Sequence, residues 1–346
     1  HSFPTRRSSD LILIAILMFG LLIAVHEFGH FFTAKLLGVK VNEFSIGMGP
    51  ELLSRKKGET QYSLRLLPIG GFCAMEGEDE DSEDERAFNN KPAWQRAIVL
   101  AAGAFMNLLT AVILMIIIAF WSGQATTVID EVQTDSPAYE AGLQAGDEIV
   151  AVNGEKIDDW EEILSLIGAG EGAETDITVM RDGREATFST QPEYNEEAGR
   201  AMVGISARVS HNLFTAIGDG VKNTGEMTVM MYDIIKQLIT GQVSTQELSG
   251  PVGIVYMVND TARAGVIYVV YLSALLSLNL AVMNMLPFPA LDGGRLLFLL
   301  IRKITGKKVN DEMEGKIHFI GIVLLMALMV YVTWNDIVRF IVPLFS

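Results

Sequence analysis

The sequence predicts a polytopic α-helical membrane protein of four transmembrane helices, with a small membrane-associated β-hairpin or sheet and an inserted α+β domain. Three observations predict it. Half of the 346 residues are hydrophobic and the mean hydropathy is positive, yet the apolar residues gather in a few long runs. Four of these, near residues 11–37, 97–121, 266–286 and 317–333, reach the roughly 18 residues that span a bilayer as a helix. Between the second and third lies a long insert of ordinary composition, in which short β-type runs alternate with polar turns.

The first ten residues, HSFPTRRSSD, bear no relation to the apolar helix after them and are set apart as a non-native or unstructured segment. A cleaved signal peptide over residues 1–25 is disfavoured, because the run continues through a histidine pair without a small-residue cleavage pattern. Residues 11–121 then hold the first two spans and the loop joining them. That loop alternates apolar and polar residues in VNEFSIGMGPELL and TQYSLRLLPIGGFCAM, with the turn RKKGE between, which is the pattern of a hairpin or small sheet. The acidic stretch EGEDEDSEDER follows as a solvated surface loop. The second span begins near Pro92 and ends at Trp121, an aromatic suited to the bilayer interface.

Residues 122–205 form the insert, with strands expected in TTVIDEV, DEIVAVNG, TDITVMRDG and EATFSTQ and one helix around Trp160–Ile167. Residues 206–262 hold a linker and a helix with apolar groups at near-helical spacing from Leu213 to Ile239. That helix lies either on the membrane or against the small domain. Residues 263–346 complete the four spans.

Charge is distributed unevenly. Residues 122–267 hold 24 Asp and Glu against 8 Lys and Arg, which is the whole of the net charge of −16, so the rest of the chain is neutral and gives no footprint for nucleic acid. The single cysteine, Cys73, excludes an intrachain disulfide and a cysteine metal cluster. Basic residues cluster at the margins of the first loop (Lys35, Lys40, Lys91, Arg96) and throughout the loop between the last two spans (Arg295, Arg302, Lys303, Lys307, Lys308, Lys316). The excess of Lys and Arg on short cytoplasmic loops puts both loops inside and the insert and both termini outside.

The chemistry lies in the first span. His26 and His30 are four residues apart, so on a helix they share one face and can hold one metal ion, with Glu27 beside them to accept a proton. Ionisable groups in an apolar span cost several kcal/mol unless paired, solvated or metal-bound. From Leu11 to His26 is about 22 Å of helix, which puts the group inside the cytoplasmic leaflet. Catalytic zinc takes three protein ligands and keeps one open position. Asp292 in NMLPFPALDGG is the candidate third ligand, because Pro287, Pro289 and Gly293-Gly294 can hold it on non-helical backbone at membrane depth. The plainer reading of Asp292 alone is the N-cap of a following helix.

HEFGH in the first span and NMLPFPALDGG after the third together resemble the site-2 protease family of intramembrane zinc metalloproteases, most closely bacterial members with four spans and one extracytoplasmic PDZ domain. FSIGMGPELL, YSLRLLPIGGF, LSGPVGI (Leu248 to Ile254) and TWNDIVRF (Thr333 to Phe340) extend the likeness over nearly the whole chain. The resemblance implies Zn2+ held by His26, His30 and Asp292, with Glu27 as general base and Asn279 and Asn284 helping to hold substrate. Where the family's second span often has Gly-Pro-x-x-Asn, this chain has Gly103-Ala104-Phe105-Met106-Asn107 and loses the proline. In the insert, SPAYEAGLQAGDEIVAVNG (Ser136 to Gly154) resembles the PDZ domains of bacterial proteases, with Gly142 and Leu143 in the candidate peptide loop. Peptide binding by strand addition and simple size filtering are both open for it.

The expected activity is hydrolysis of peptide bonds in or near transmembrane segments. The family's substrates are single-span proteins such as anti-sigma factors already trimmed by a site-1 protease, or signal peptide remnants, in the bacterial inner membrane. A stretch of such a helix must unwind, and the strands around Gly47 and Gly49 can pair with it once extended. A catalytically inactive PDZ scaffold would have lost Glu27 or a ligand. A zinc transporter has no need of Glu27 or a PDZ domain.

Overall fold

The computed structural model describes residues 8–344 except 79, 81, 171, 197, 243–248 and 307–310. Parts of the expected acidic stretch, Leu248 of LSGPVGI, Lys307 and Lys308 therefore lie outside the described residues, as does most of the HSFPTRRSSD segment.

The chain opens with α1 (Ser8–Leu36), then β1 (Val41–Lys57) and β2 (Thr60–Met75), a single 3-10 turn at Phe88–Asn90, and α2 (Ala93–Ser122). Pro92 precedes α2 as expected of a residue that begins a helix without needing an N–H partner. The two long strands fold on themselves. Residues 43–46 of β1 are flanked by 61–64 of β2 on one side and by 71–74 on the other, while 51–57 pairs with 60–65 as a hairpin. Among the described residues, 71–74 have no strand partner on their other side and form an open edge. The pair of strands lies along α1: a methyl group at Gly20 would overlap the Pro68 carbonyl, and Phe31 of α1 packs on Phe44, ring centroids 4.9 Å apart.

The insert is a compact unit of its own, residues 119–219. It runs β3 (Gln124–Val132), α3 (Pro137–Ala141), β4 (Glu148–Val152), β5 (Glu155–Lys156), α4 (Trp160–Ala169), β6 (Thr175–Arg181), β7 (Arg184–Thr190), β8 (Glu193–Asn195), β9 (Arg200–Met202) and β10 (Ile205–Ser210). One sheet has the order β10-β3-β4-β6-β7, with β5 on β4; β8 and β9 pair separately. The core joins alternate residues of the strands (Ile129, Ile149, Ile177, Val179) to Trp160 and Ile163 of α4. Both helices start on side-chain caps: Ser136 accepts from Tyr139 N–H, and Asp159 from Glu162 N–H. Asp147 and Arg181 tie the sheet together through a two-pronged ion pair of 2.6 Å contacts. The sheet runs on through Ser210, five residues past the boundary that the sequence suggested.

The other unit comprises residues 1–118 and 220–346. After the insert come α5 (Leu213–Ile239), α6 (Pro251–Ala264), α7 (Val266–Asn284), α8 (Asp292–Thr305) and α9 (Asp311–Asp336), which passes into a π-helical turn at Ile337–Ile341. The amphipathic helix expected over residues 213–239 is α5. Its Met227, Met231 and Ile235, spaced four apart, pack on Ala111 of α2 and Leu278 and Val282 of α7. Helix α6 was not expected, and a helix directly after Asp292 figured only in the plainer reading of that residue. The stretch before the third span is a helix, and the basic stretch after Asp292 is an amphipathic one. The buried Asp336 accepts from Gly253 N–H at 2.8 Å, so the end of α9 caps the start of α6. Among the described residues, four helices are long and apolar enough to cross a membrane: Leu13–Leu36, Ala93–Ser122, Val266–Asn284 and Met313–Ile341.

Candidate metal centre

His26 and His30 stand one turn apart on α1, both buried, with Nε2 atoms 3.1 Å apart. Asp292 opens α8, and its Oδ2 lies 3.1 Å from His26 Nε2 and 3.4 Å from His30 Nε2. Among the described residues these three form a group of metal-ligand type, their ligand atoms all within 4.8 Å of one another. Asp292 follows His30 by 262 positions in the chain, and packing brings the two together. Asp292 is not the N-cap of α8: Leu291 holds that position, and no side chain caps the helix. The carboxylate therefore turns to the histidines instead of its own backbone.

The surrounding groups fit a cation. His30 Nδ1 donates to the Val99 carbonyl at 2.8 Å, which fixes the proton there and leaves the Nε2 lone pair facing the centre. Two imidazole lone pairs and a carboxylate oxygen converge, and Asp292 Oδ2 is buried without a hydrogen bond. Such a set is mutually repulsive unless a positive ion joins it, and two histidines with one carboxylate are a donor set that zinc takes with a position left open.

The second span supplies the floor. A methyl group at Gly103 would overlap His30 Nε2 and crowd the His26 ring, while one at Gly29 would overlap the Ala102 carbonyl, so α1 and α2 cross where both lack side chains. Asn107, one turn beyond Gly103, is fully buried with its amide nitrogen 3.4 Å from His26 Nδ1, and its backbone carbonyl accepts from Ser277 Oγ of α7 at 2.8 Å. The missing proline of this stretch leaves α2 a continuous helix. Val99 has no motif that would single it out, whereas Gly103 and Asn107 stand at the ends of the Gly-x-x-x-Asn stretch, four apart on one helical face, and meet one target.

Glu27 is partly buried and faces the open edge of β2: a Cβ at Gly71 would stand 3.5 Å from its Cγ. Of the other expected site residues, Asn279 is exposed on α7 and Asn284 is half-buried at its end. Gly47 and Gly49 have φ of 86° and 85°, a region that favours glycine, and lie where β1 bends. Arg65 donates to the Gly49 carbonyl at 2.9 Å. In the insert, Gly142 caps α3 with φ of 91°, and Leu143 is 2% exposed in the domain core. Neither presents a side chain to solvent. A small apolar cavity lies between α4 and the stretch 201–205, lined by Ile163, Leu164 and Ile167 and by Val203 to Ile205.

A buried group of two histidines and one carboxylate with an adjoining glutamate, its histidines on a membrane-length helix, is the donor set of a zinc metallopeptidase. Residues 14–328 match the sequence profile of peptidase family M50, and the chain belongs to that family. It is 41% identical over 329 residues to a protein of Clostridium acetobutylicum whose name assigns it provisionally to the zinc metalloproteases, covering 94% of this chain and 97% of that one. It is 32% identical over 410 residues to the regulator of sigma-W protease RasP of Bacillus subtilis, with 94% and 97% covered. The zinc metalloprotease RasP of Geobacillus kaustophilus is 33% identical over 408 residues, again with 94% and 97% covered. The PDZ domain of an SdrC-like protein of Listeria monocytogenes is 20% identical over 24% of this chain and 87% of its own, with a TM-score of 0.22, too low to carry weight.

Proposed function

We propose that this zinc metalloprotease cleaves single-span membrane proteins within or beside their transmembrane segments, with His26, His30 and Asp292 as metal ligands and Glu27 as general base. The observation that carries the reading is the convergence of the three ligand atoms from helices 262 positions apart in sequence, on a span apolar enough to lie in a bilayer.

Bound there, zinc supplies Lewis-acid polarisation of the scissile carbonyl and lowers the pKa of the attacking water. Glu27 takes the proton from that water and returns it to the leaving amine. Val99 and Gly103 keep the two histidines in their orientation. A helical substrate hides its peptide bonds in its own hydrogen bonds, so a few residues must be drawn out. The outer edge of residues 71–74 runs past Glu27 and offers backbone groups without a strand partner among the described residues to such an extended stretch. Gly47 and Gly49 let β1 bend beside that edge, and Asn279 and Asn284 are the polar side chains of α7 that would receive substrate backbone.

The insert is a PDZ domain by its sequence likeness, set outside the cytoplasmic membrane of a bacterium, with the metal site towards the cytoplasmic face. The Lys and Arg of the two short loops favour that orientation. Substrates of the anti-sigma-factor kind, trimmed first by a site-1 protease, and remnant signal peptides fit a site inside the bilayer. The name of the Bacillus subtilis relative points the same way. The test is cleavage of a single-span substrate in proteoliposomes by wild type and Glu27→Gln, with zinc measured on both. Equal cleavage by the two proteins overturns the role of Glu27.

A further inference from the structure

Asp292 is delivered to the histidines by a turn that is not at rest on its own. Ala290, two residues earlier, has φ of 82°, a conformation rare for any residue with a side chain. Its predecessor Pro289 has no N–H, and the Leu291 N–H closes the turn on the Phe288 carbonyl at 3.1 Å, so the Ala290 N–H has to find its partner outside the turn. It donates to His318 Nδ1 of α9 at 2.9 Å. With Nδ1 accepting, the neutral ring carries its proton on Nε2.

The ring is itself held. It lies against Phe298 of α8 with centroids 5.5 Å apart, and Nε2 is 3.9 Å from Glu314, which is paired with Arg302 of α8. Gly321, three residues on and on the same helical face, lets α9 close onto the same turn, because a methyl group there would overlap the Pro289 carbonyl. Two positions of α9 thus bear on two consecutive residues of the turn, one by hydrogen bond and one by close contact.

We propose that His318 is a positioning residue for the metal centre: by accepting the Ala290 N–H it holds the turn in the left-handed conformation that directs Asp292 at His26 and His30. Without that acceptor the turn relaxes towards negative φ, and the chain that follows, Asp292 included, changes direction. The inference rests on the zinc centre proposed above.

Zinc retention tests it. The full chain in detergent is loaded with zinc, and loss to a chelator is timed for wild type, His318→Leu, His318→Asn, His318→Leu/Ala290→Gly and His26→Ala, with thermal unfolding followed in parallel. His318→Leu keeps an apolar side chain against Phe298 but lacks the acceptor, and zinc should leave about 10–100-fold faster, as for other groups that orient metal ligands. Asn places an amide oxygen near the former Nδ1 and should recover most of the retention. Gly at 290 adopts φ of 82° without a side-chain penalty, so the double variant should recover part of it. Wild-type retention in His318→Leu, or no recovery in either His318→Asn or the double variant, overturns the proposal. Wild-type retention in His26→Ala overturns the metal centre instead.

Discussion

In the proposed centre, Glu27 and Gly103 would govern the site in two different ways. Glu27 makes no ligand bond in the proposed centre, so Glu27→Gln should keep its zinc and lose cleavage by about 10²–10⁴-fold, the usual contribution of a proton-transfer group. Zinc per chain and initial rate on a single-span substrate measure the two effects separately. Gly103 touches no substrate, yet Gly103→Ala places a methyl group against His30 Nε2. Zinc affinity should fall about 10–100-fold while the helices remain, which a chelator titration and circular dichroism distinguish. In the insert, burial raises the Asp147 carboxyl, but the Arg181 guanidinium and the Gln144 N–H outweigh it and hold the group below its ordinary value. Such a group stabilises the folded insert above its unfolded pKa of about 3.9, and the contribution disappears as pH falls through the lower folded value. Arg181→Met leaves a buried charge unpaired and should cost the insert about 3 kcal/mol at neutral pH, read as lost hydrogen-exchange protection in β4 and β6.

At the scale of elements, the open edge of residues 71–74 is the feature with the most direct consequence. Proline removes a backbone donor. Single prolines over 71–74, at positions whose N–H points away from β1, should lower cleavage at least about 10-fold with zinc and fold retained. A folded variant with an unpaired edge and undiminished cleavage would exclude strand addition there. These elements also show what the sequence revealed and what it hid. The four apolar runs and the alternation in the first loop are local patterns, and each became an element near its expected bounds. His26, Glu27, His30 and Asp292 could be picked out as candidates because motif chemistry restricts such groups to few residue types, and the first, third and fourth converge. Val99 was not, since it acts through a carbonyl that every residue has, and Gly103 acts through the absence of a side chain. Beyond the plainer reading of Asp292, the helix α8 was hidden because its amphipathic stretch is short and opens on residues that read as a turn. Gly142 and Leu143 were picked from a motif, and the structure puts the Leu143 side chain in the core of the insert.

For the whole molecule, the proposed orientation is open to a direct check. With Cys73 replaced by Ala, a cysteine at exposed Glu155 of the insert should react with an impermeant thiol reagent on intact cells. One at Gly58, in the turn between β1 and β2, should react only after the membrane is opened. The reverse pattern would invert the topology.

The close seat of Pro289 against Gly321 has a consequence in time. Residues are made in order, so when Asp292 leaves the ribosome the helix against which its turn is packed does not yet exist. The two histidines have by then been in place for more than 260 residues of synthesis. The third ligand gains its support only once residue 321 and the rest of that turn have followed. In the proposed centre, a chain made only as far as Asp292 therefore holds two ligands and an unsupported third, and the site matures only when α9 has followed.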